Sequence, residues 1–177
     1  MGTEMTMRAA RRDEAEALAA LAARLFRETY LPTCRAEDVH AYADASFTPA
    51  RQAEELADAA GVTLLAEVDG RTAGYARLRM GHAPASVPGA RPVEIARFYV
   101  DAAWHGHGVA AELMDAVMLA AAEHGGDVAW LAVWEENGRA IRFYERCGFQ
   151  RVGEDTFTMG AEVQRDHLMA RPVTAAR

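Results

Sequence analysis

The stretch WLAVWEENGRAIRFYERCGFQRVG, residues 130–153, decides how this chain folds. Together with the two residues before it, its first part reads as a buried strand, Val128 to Trp134, a short apolar and aromatic run bounded by polar residues. Asn137 then stands at a strand-to-helix junction. Gly138 to Cys147 reads as a short helix with Ala140 and Phe143 on one face and Tyr144 beside them, closed by Gly148 before Phe149 opens a new apolar segment. Taken alone, Tyr144 is an ordinary packed aromatic. The unit is strand, Asn-led helix, strand, which belongs to an α/β sheet.

Upstream lies RFYVDAAWHGHGVAAELM, residues 97–114. A strand ending near Val100 meets a turn carrying Gly106 and Gly108, and a helix opens at Val109. Free backbone N–H groups and the positive end of the helix dipole converge there, so the turn suits an anion such as a phosphate. Glycine helps because a Cβ would hold the phosphate oxygens away from the backbone. Two other readings stay open on these residues. The glycines can simply make a turn, and Gly106, Gly108 and Ala111 satisfy G-x-G-x-x-A, with Glu135 as a ribose-binding acid. Spacing counts against the dinucleotide reading, because five residues separate Val100 from Gly106 and half a domain precedes the turn.

The remaining elements follow by period and punctuation. Met5 to Ala9 reads as a strand, and Asp13 as the N-cap of a helix with Leu18, Leu21, Ala22, Leu25 and Thr29 on its buried face. Ala36 to Ala45 reads as helical, and Thr48-Pro49 starts a third helix that runs towards Gly61. Val62–Val68 and Thr72–Met80 flank Asp69-Gly70, a hairpin signal. Val93–Val100 is a strand, Val109–His124 a helix stopped by Gly125-Gly126, and Phe149–Met159 with His167–Val173 a closing strand pair. The expectation is one α/β (α+β) domain over residues 4–172, with a mixed sheet.

Composition narrows the function. The chain has 177 residues and a formal charge of −7, from 26 acidic and 19 basic side chains. All the basic side chains among those 19 are arginine. A chain without lysine carries no Walker A lysine, pyridoxal Schiff base or lysyl base. Apolar runs such as that around residues 109–122 are interrupted by Glu112 and Asp115, short of the roughly 18 apolar residues a membrane span needs. The N-terminus has no apolar signal region, so the expected location is the cytoplasm. Cys34 and Cys147 lack metal-knuckle spacing, His40, His82, His107, His124 and His167 lack ligand spacing, and no metal is expected. The acidic balance argues against nucleic acid as partner and is compatible with a cationic substrate. The Ala and Arg richness looks like bacterial GC-rich coding.

The 130–153 stretch resembles the GCN5-related N-acetyltransferases, the GNAT family: N-x-x-A-x-x-F-Y-x-x-x-G-F is met from Asn137 to Phe149. Residues 105–110 are similar to the family's R/Q-x-x-G-x-G/A pyrophosphate loop, with His105 where the family usually has Arg or Gln. The resemblance covers essentially the whole chain. It implies a mostly antiparallel twisted sheet of about seven strands flanked by helices and splayed between the strands at 93–100 and 128–134. It also implies acetyl-CoA as cosubstrate. Phe98 and Val100 would offer backbone groups to the thioester and pantetheine. His105, Gly106, His107, Gly108, Val109 and Ala110 would cradle the pyrophosphate, and Asn137 would bond the pantetheine. Tyr144 would protonate the departing thiolate, and Glu94 would accept the amine's proton, directly or through water, with Arg97 orienting it. His105 supplies less charge than arginine, so the implied acetyl-CoA affinity is weaker or pH-dependent.

Further segments, among them FRETYLPTC and QRDHLM, resemble the bacterial Pai-type polyamine N-acetyltransferases. That branch implies a primary amine acceptor such as spermidine or spermine, held by Glu28, Tyr30, Glu37 and Asp38, in a monomer or homodimer. The alternatives are another small amine, a protein amine, or a non-catalytic acetyl-CoA-binding regulatory module.

Overall fold

The computed structural model describes residues 4–174. Its strands are β1 (Met5–Ala9), β2 (Gly61–Val68), β3 (Arg71–Met80), β4 (Pro92–Val100), β5 (Val128–Trp134), β6 (Gln150–Met159) and β7 (Glu162–Pro172). Its helices are α1 (Ala15–Tyr30), α2 (Ala36–Ser46), α3 (Pro49–Ala57), α4 (Val109–Glu123) and α5 (Gly138–Arg146). The seven strands form one sheet in the order β1-β2-β3-β4-β5-β7-β6. Every pairing is antiparallel except β4 with β5, which α4 joins as a crossover.

Local chemistry explains the turns. Asp69 and Gly70 have φ of 48° and 75°, the left-handed pair that a two-residue hairpin requires. Thr48 accepts the Arg51 N–H and Pro49 occupies the first turn of α3. Asp13 does not cap α1: it lies in a 3-10 turn, Arg12–Glu14, and Glu14 accepts the Arg11 N–H instead. The last strand also begins earlier than the sequence suggests, at Glu162. A tight turn at Gly160 sends the chain straight back, so Gln164 and Asp166 are strand residues.

The two faces of the sheet bury separate clusters. On one, Leu113, Met114 and Val117 of α4 pack with Leu78, Ile95, Leu131 and Met169. On the other, Leu18, Ala22, Leu25 and Phe26 of α1 and Val39 and Ala43 of α2 cover Leu65 and Tyr75. Each large side chain so buried contributes about 1.5–3 kcal/mol.

Between β4 and β5 the sheet opens. Pairing covers only Pro92, Val93 and Glu94 against Val128, Ala129 and Trp130. Beyond it, the β4 edge from Ile95 to Val100 has no strand partner on the β5 side. A bulge accompanies the opening: Leu78 opposes Ile95 and Arg77 opposes Arg97, leaving Ala96 as the extra residue. Beyond the bulge, Arg97 and Tyr99 face the α1–α2 side while Phe98 packs with the α4 cluster.

Candidate active site

The turn before α4 is built to receive an anion. Gly106 and Gly108 have φ of 82° and 83°, and Gly108 is the helix N-cap. Ideal Cβ atoms at either glycine would meet no protein atom within 4 Å, so the space over the turn is open. His105 and His107 donate their N–H groups to Ala102 and Trp104, whereas those of Gly106, Gly108, Val109 and Ala110 have no backbone acceptor among the described residues. This convergence of free donors at a helix N-terminus fits a pyrophosphate. The His105 imidazole turns back towards β4. Its Nε2 lies 2.8 Å from the Val100 carbonyl oxygen, at the end of β4.

Tyr144 and Phe98 face this same side of the sheet. Tyr144 is 8% exposed and its ring centroid is 6.1 Å from that of Phe98 and 6.0 Å from that of Phe149, edge-on in both pairs. Burial pushes its phenol well above the ordinary tyrosine range, so it is protonated at neutral pH. Asn137 caps α5, its Oδ1 accepting the Ala140 N–H at 3.1 Å, which commits the oxygen and leaves the amide nitrogen as its donor to a ligand.

On the opposite face the opening of the sheet continues into a cleft of about 510 Å³. Tyr30, Tyr42 and Phe157 form aromatic wall, and Glu94, Arg97 and Tyr99 come from β4. Glu94 lies here and not beside Tyr144. Its Oε2 receives both Arg79 bonds, at 2.8 and 2.6 Å, and its Oε1 is free of them. Arg97 does not orient Glu94. It forms a two-pronged pair with Glu55, at 2.6 and 2.9 Å, and lies 5.0 Å over the Phe47 ring. Of the residues expected to hold a polycation, Tyr30 lines the cleft. Glu28, Glu37 and Asp38 do not, and each faces an arginine, Arg24 for the first and Arg35 for the other two. Burial pushes the Tyr30 phenol up to about 12, and that of Tyr99, packed against Tyr75, well above the ordinary tyrosine range.

β7 supplies two cleft residues that sequence reasoning missed, Gln164 and Asp166. The signal was present: polar residues at alternate positions ahead of Leu168 and Ala170, on one face of a strand. A dinucleotide site is excluded by topology, because the glycine turn follows four consecutive antiparallel strands and Glu135 pairs with Arg165. Among the described residues no helix is long and apolar enough to cross a membrane, and no three His, Cys, Asp or Glu cluster as metal ligands.

An anion cradle on one face, a cleft on the other and an opening between them define a two-substrate group-transfer site. The profile of the acetyltransferase (GNAT) family matches residues 17–149, and the chain belongs to that family of enzymes. It is 39% identical over 158 residues to an uncharacterised N-acetyltransferase of Mycobacterium tuberculosis, spanning 89% of this chain and 97% of the relative. An uncharacterised N-acetyltransferase of Lactobacillus delbrueckii subsp. lactis is 26% identical over 152 residues, spanning 86% and 88%. Among solved structures, PaiA N-acetyltransferase from Thermoplasma acidophilum in complex with coenzyme A superposes with a TM-score of 0.77, at 18% identity, over 96% of this chain and 99% of that one. The ribosomal-protein-S18-alanine N-acetyltransferase of Escherichia coli gives 0.69 at 14% identity, over 98% and 97%.

Proposed function

We propose that this enzyme transfers the acetyl group of acetyl-CoA to a primary amine, with a polyamine such as spermidine or spermine as the leading acceptor. The observation that carries this reading is the unpaired β4 edge, which runs from the free N–H cradle and Tyr144 on one face to an aromatic cleft with one carboxylate more than its arginines on the other. The likeness to a coenzyme A complex supports the choice of donor.

In this reading Gly106, Gly108, Val109 and Ala110 hold the pyrophosphate through backbone donors. Asn137 bonds the pantetheine, and the backbone of Phe98 and Val100 lies along it and polarises the thioester carbonyl. An ammonium ion has no lone pair, so the acceptor first loses a proton, which the free Oε1 of Glu94 takes directly or through water. The neutral amine then attacks the thioester carbon, forming the C–N bond. The C–S bond breaks with its electron pair on sulfur, and Tyr144 donates its phenolic proton to that thiolate. The nitrogen of the new amide sheds a proton, which restores the phenol. One ammonium and one thioester thus become one amide, one thiol and one released proton. No acyl-enzyme is formed in this reading, since burial pushes the Cys147 thiol up and keeps it protonated, and Cys34 has no histidine partner among the described residues.

The test is mass spectrometry of reaction mixtures holding enzyme, acetyl-CoA and one amine at a time, from a panel of spermidine, spermine, an aminoglycoside, an amino acid and a peptide with a free α-amine. The reading expects a single added acetyl group on spermidine or spermine. Acetylation of another amine alone replaces the acceptor and keeps the chemistry.

A further inference from the structure

The cleft is almost charge-balanced within itself, and the imbalance has an address. Three of its carboxylates are matched to arginines: Glu55 to Arg97, Asp58 to Arg77 at 3.5 Å, and Glu94 to Arg79. The fourth, Asp166, forms no ion pair among the described residues. Partial burial disfavours its charge, and so does a second carboxylate, Asp155, opposite it on β6. A half-buried carboxylate without a counter-charge is costly to keep, so its retention calls for a ligand.

A second, independent feature lies two residues away on the same face of β7. Gln164 is 4% exposed and donates its Nε2 to Cys34 Sγ at 3.1 Å. Its carbonyl oxygen is buried with no donor. A negative charge and an unfilled acceptor therefore stand side by side, against the aromatic wall of Tyr30 and Phe157. An alkylammonium supplies what both lack, having a positive charge and three N–H donors, and aromatic faces attract such cations.

We propose that Asp166, seconded by the Gln164 carbonyl oxygen, is the recognition site for an ammonium group of the acceptor and selects aliphatic, cationic amines. This rests on the acetyl-transfer reading and leaves Glu94 its proton-accepting role. One unmatched charge fits one ammonium, so further cationic groups of a polyamine extend out of the cleft. Burial and Asp155 together push the Asp166 carboxyl up to about 6. The Tyr30 phenol of α1 faces it and stays neutral, and the arginines of β3 and β4 that line the same cleft stay matched to Glu55, Asp58 and Glu94. Affinity for the cation therefore falls as pH drops below about 6, where Asp166 takes up a proton and loses its charge.

Calorimetric titration of spermidine into the CoA-loaded enzyme tests this, comparing wild type, Asp166→Asn and Glu94→Gln at pH 7.5, with wild type repeated at pH 5. Asp166→Asn is expected to weaken binding at least tenfold, Glu94→Gln by less than threefold, and the acid titration to weaken wild type by a similar order to Asp166→Asn. Melting controls for misfolding and carries its own prediction. Removing an unmatched charge should raise the Tm of Asp166→Asn by about 2–4 °C at pH 7.5 and leave it unchanged at pH 4. Equal spermidine affinity of wild type and Asp166→Asn, a larger loss in Glu94→Gln, or no binding to wild type overturns the proposal. Thiol release by wild type alongside intact Asp166→Asn binding would sink only this proposal. Spermidine binding through Asp166 without thiol release would sink only the transfer reading.

Discussion

In the proposed mechanism, Tyr144 is the residue on which the chemistry turns. Its ring packs edge-on between Phe98 and Phe149, so Tyr144→Phe keeps these contacts and removes only the oxygen. Stopped-flow or steady-state kinetics should show kcat reduced by about 10²-fold or more, with the KM for acetyl-CoA within threefold of wild type. A second residue-scale prediction concerns Gly108, whose φ of 83° lies in the left-handed region and whose missing Cβ leaves the turn open. Gly108→Ala should cost about 1–2 kcal/mol of stability and raise the KM for acetyl-CoA tenfold or more, read by melting and by kinetics. At this scale the sequence was informative where spacing fixes a side chain's place, as for Asn137 at the cap of α5 and Phe143 and Tyr144 on that helix. It was silent where a rotamer decides. His105 matched a loop position, yet its ring turns back so that Nε2 meets the Val100 carbonyl oxygen.

The elements hold these residues through a few specific ties, of which the first is the clamp made by Arg8. Its guanidinium joins β1 to the start of α1 through Glu14, at 2.7 and 2.9 Å, and to β2 through Glu67 at 2.6 Å. These bonds hold the Glu14 carboxyl down to about 2, from 4.5. A carboxyl depressed on folding contributes stability that is complete above pH 4.5 and lost as pH falls through about 2. Glu14→Gln should accordingly lower Tm by about 2–4 °C at pH 7, with the difference closing near pH 2 in a melting series. On the opposite face, Leu113 of α4 is fully buried against the sheet. Leu113→Ala should cost about 2–5 kcal/mol in denaturant unfolding. Hairpins and glycine-stopped helices were legible because two or three residues specify them. The start of β7 was not, because Gln164, Arg165 and Asp166 read as a polar loop until the partner strands β5 and β6 supply their ladder. That one miss removed Gln164 and Asp166 from the expected site.

At the scale of the whole molecule, the proposed reading rests on the opening between β4 and β5. Closed, the β4 edge would be spent on β5; open, its backbone is free for one substrate in the proposed reading, and the bulge at Ala96 turns Arg97 and Tyr99 into the cleft. The sheet order and the opening follow from the family resemblance carried by residues 105–110 and 137–149. The charge pattern of the cleft does not, because which carboxylate stays unmatched depends on how Glu55, Asp58 and Glu94 meet arginines of other strands. The central claim is acetyl transfer with Tyr144 as the proton donor. It is tested most directly by following CoA thiol release from acetyl-CoA at pH 8, with and without spermidine, for wild type and Tyr144→Phe at equal CoA occupancy. Thiol release that saturates with spermidine in wild type and drops about 10²-fold or more in Tyr144→Phe is the predicted result. Amine-dependent release that is undiminished in Tyr144→Phe, or acetyl-CoA binding with no release for any amine tried, would contradict it.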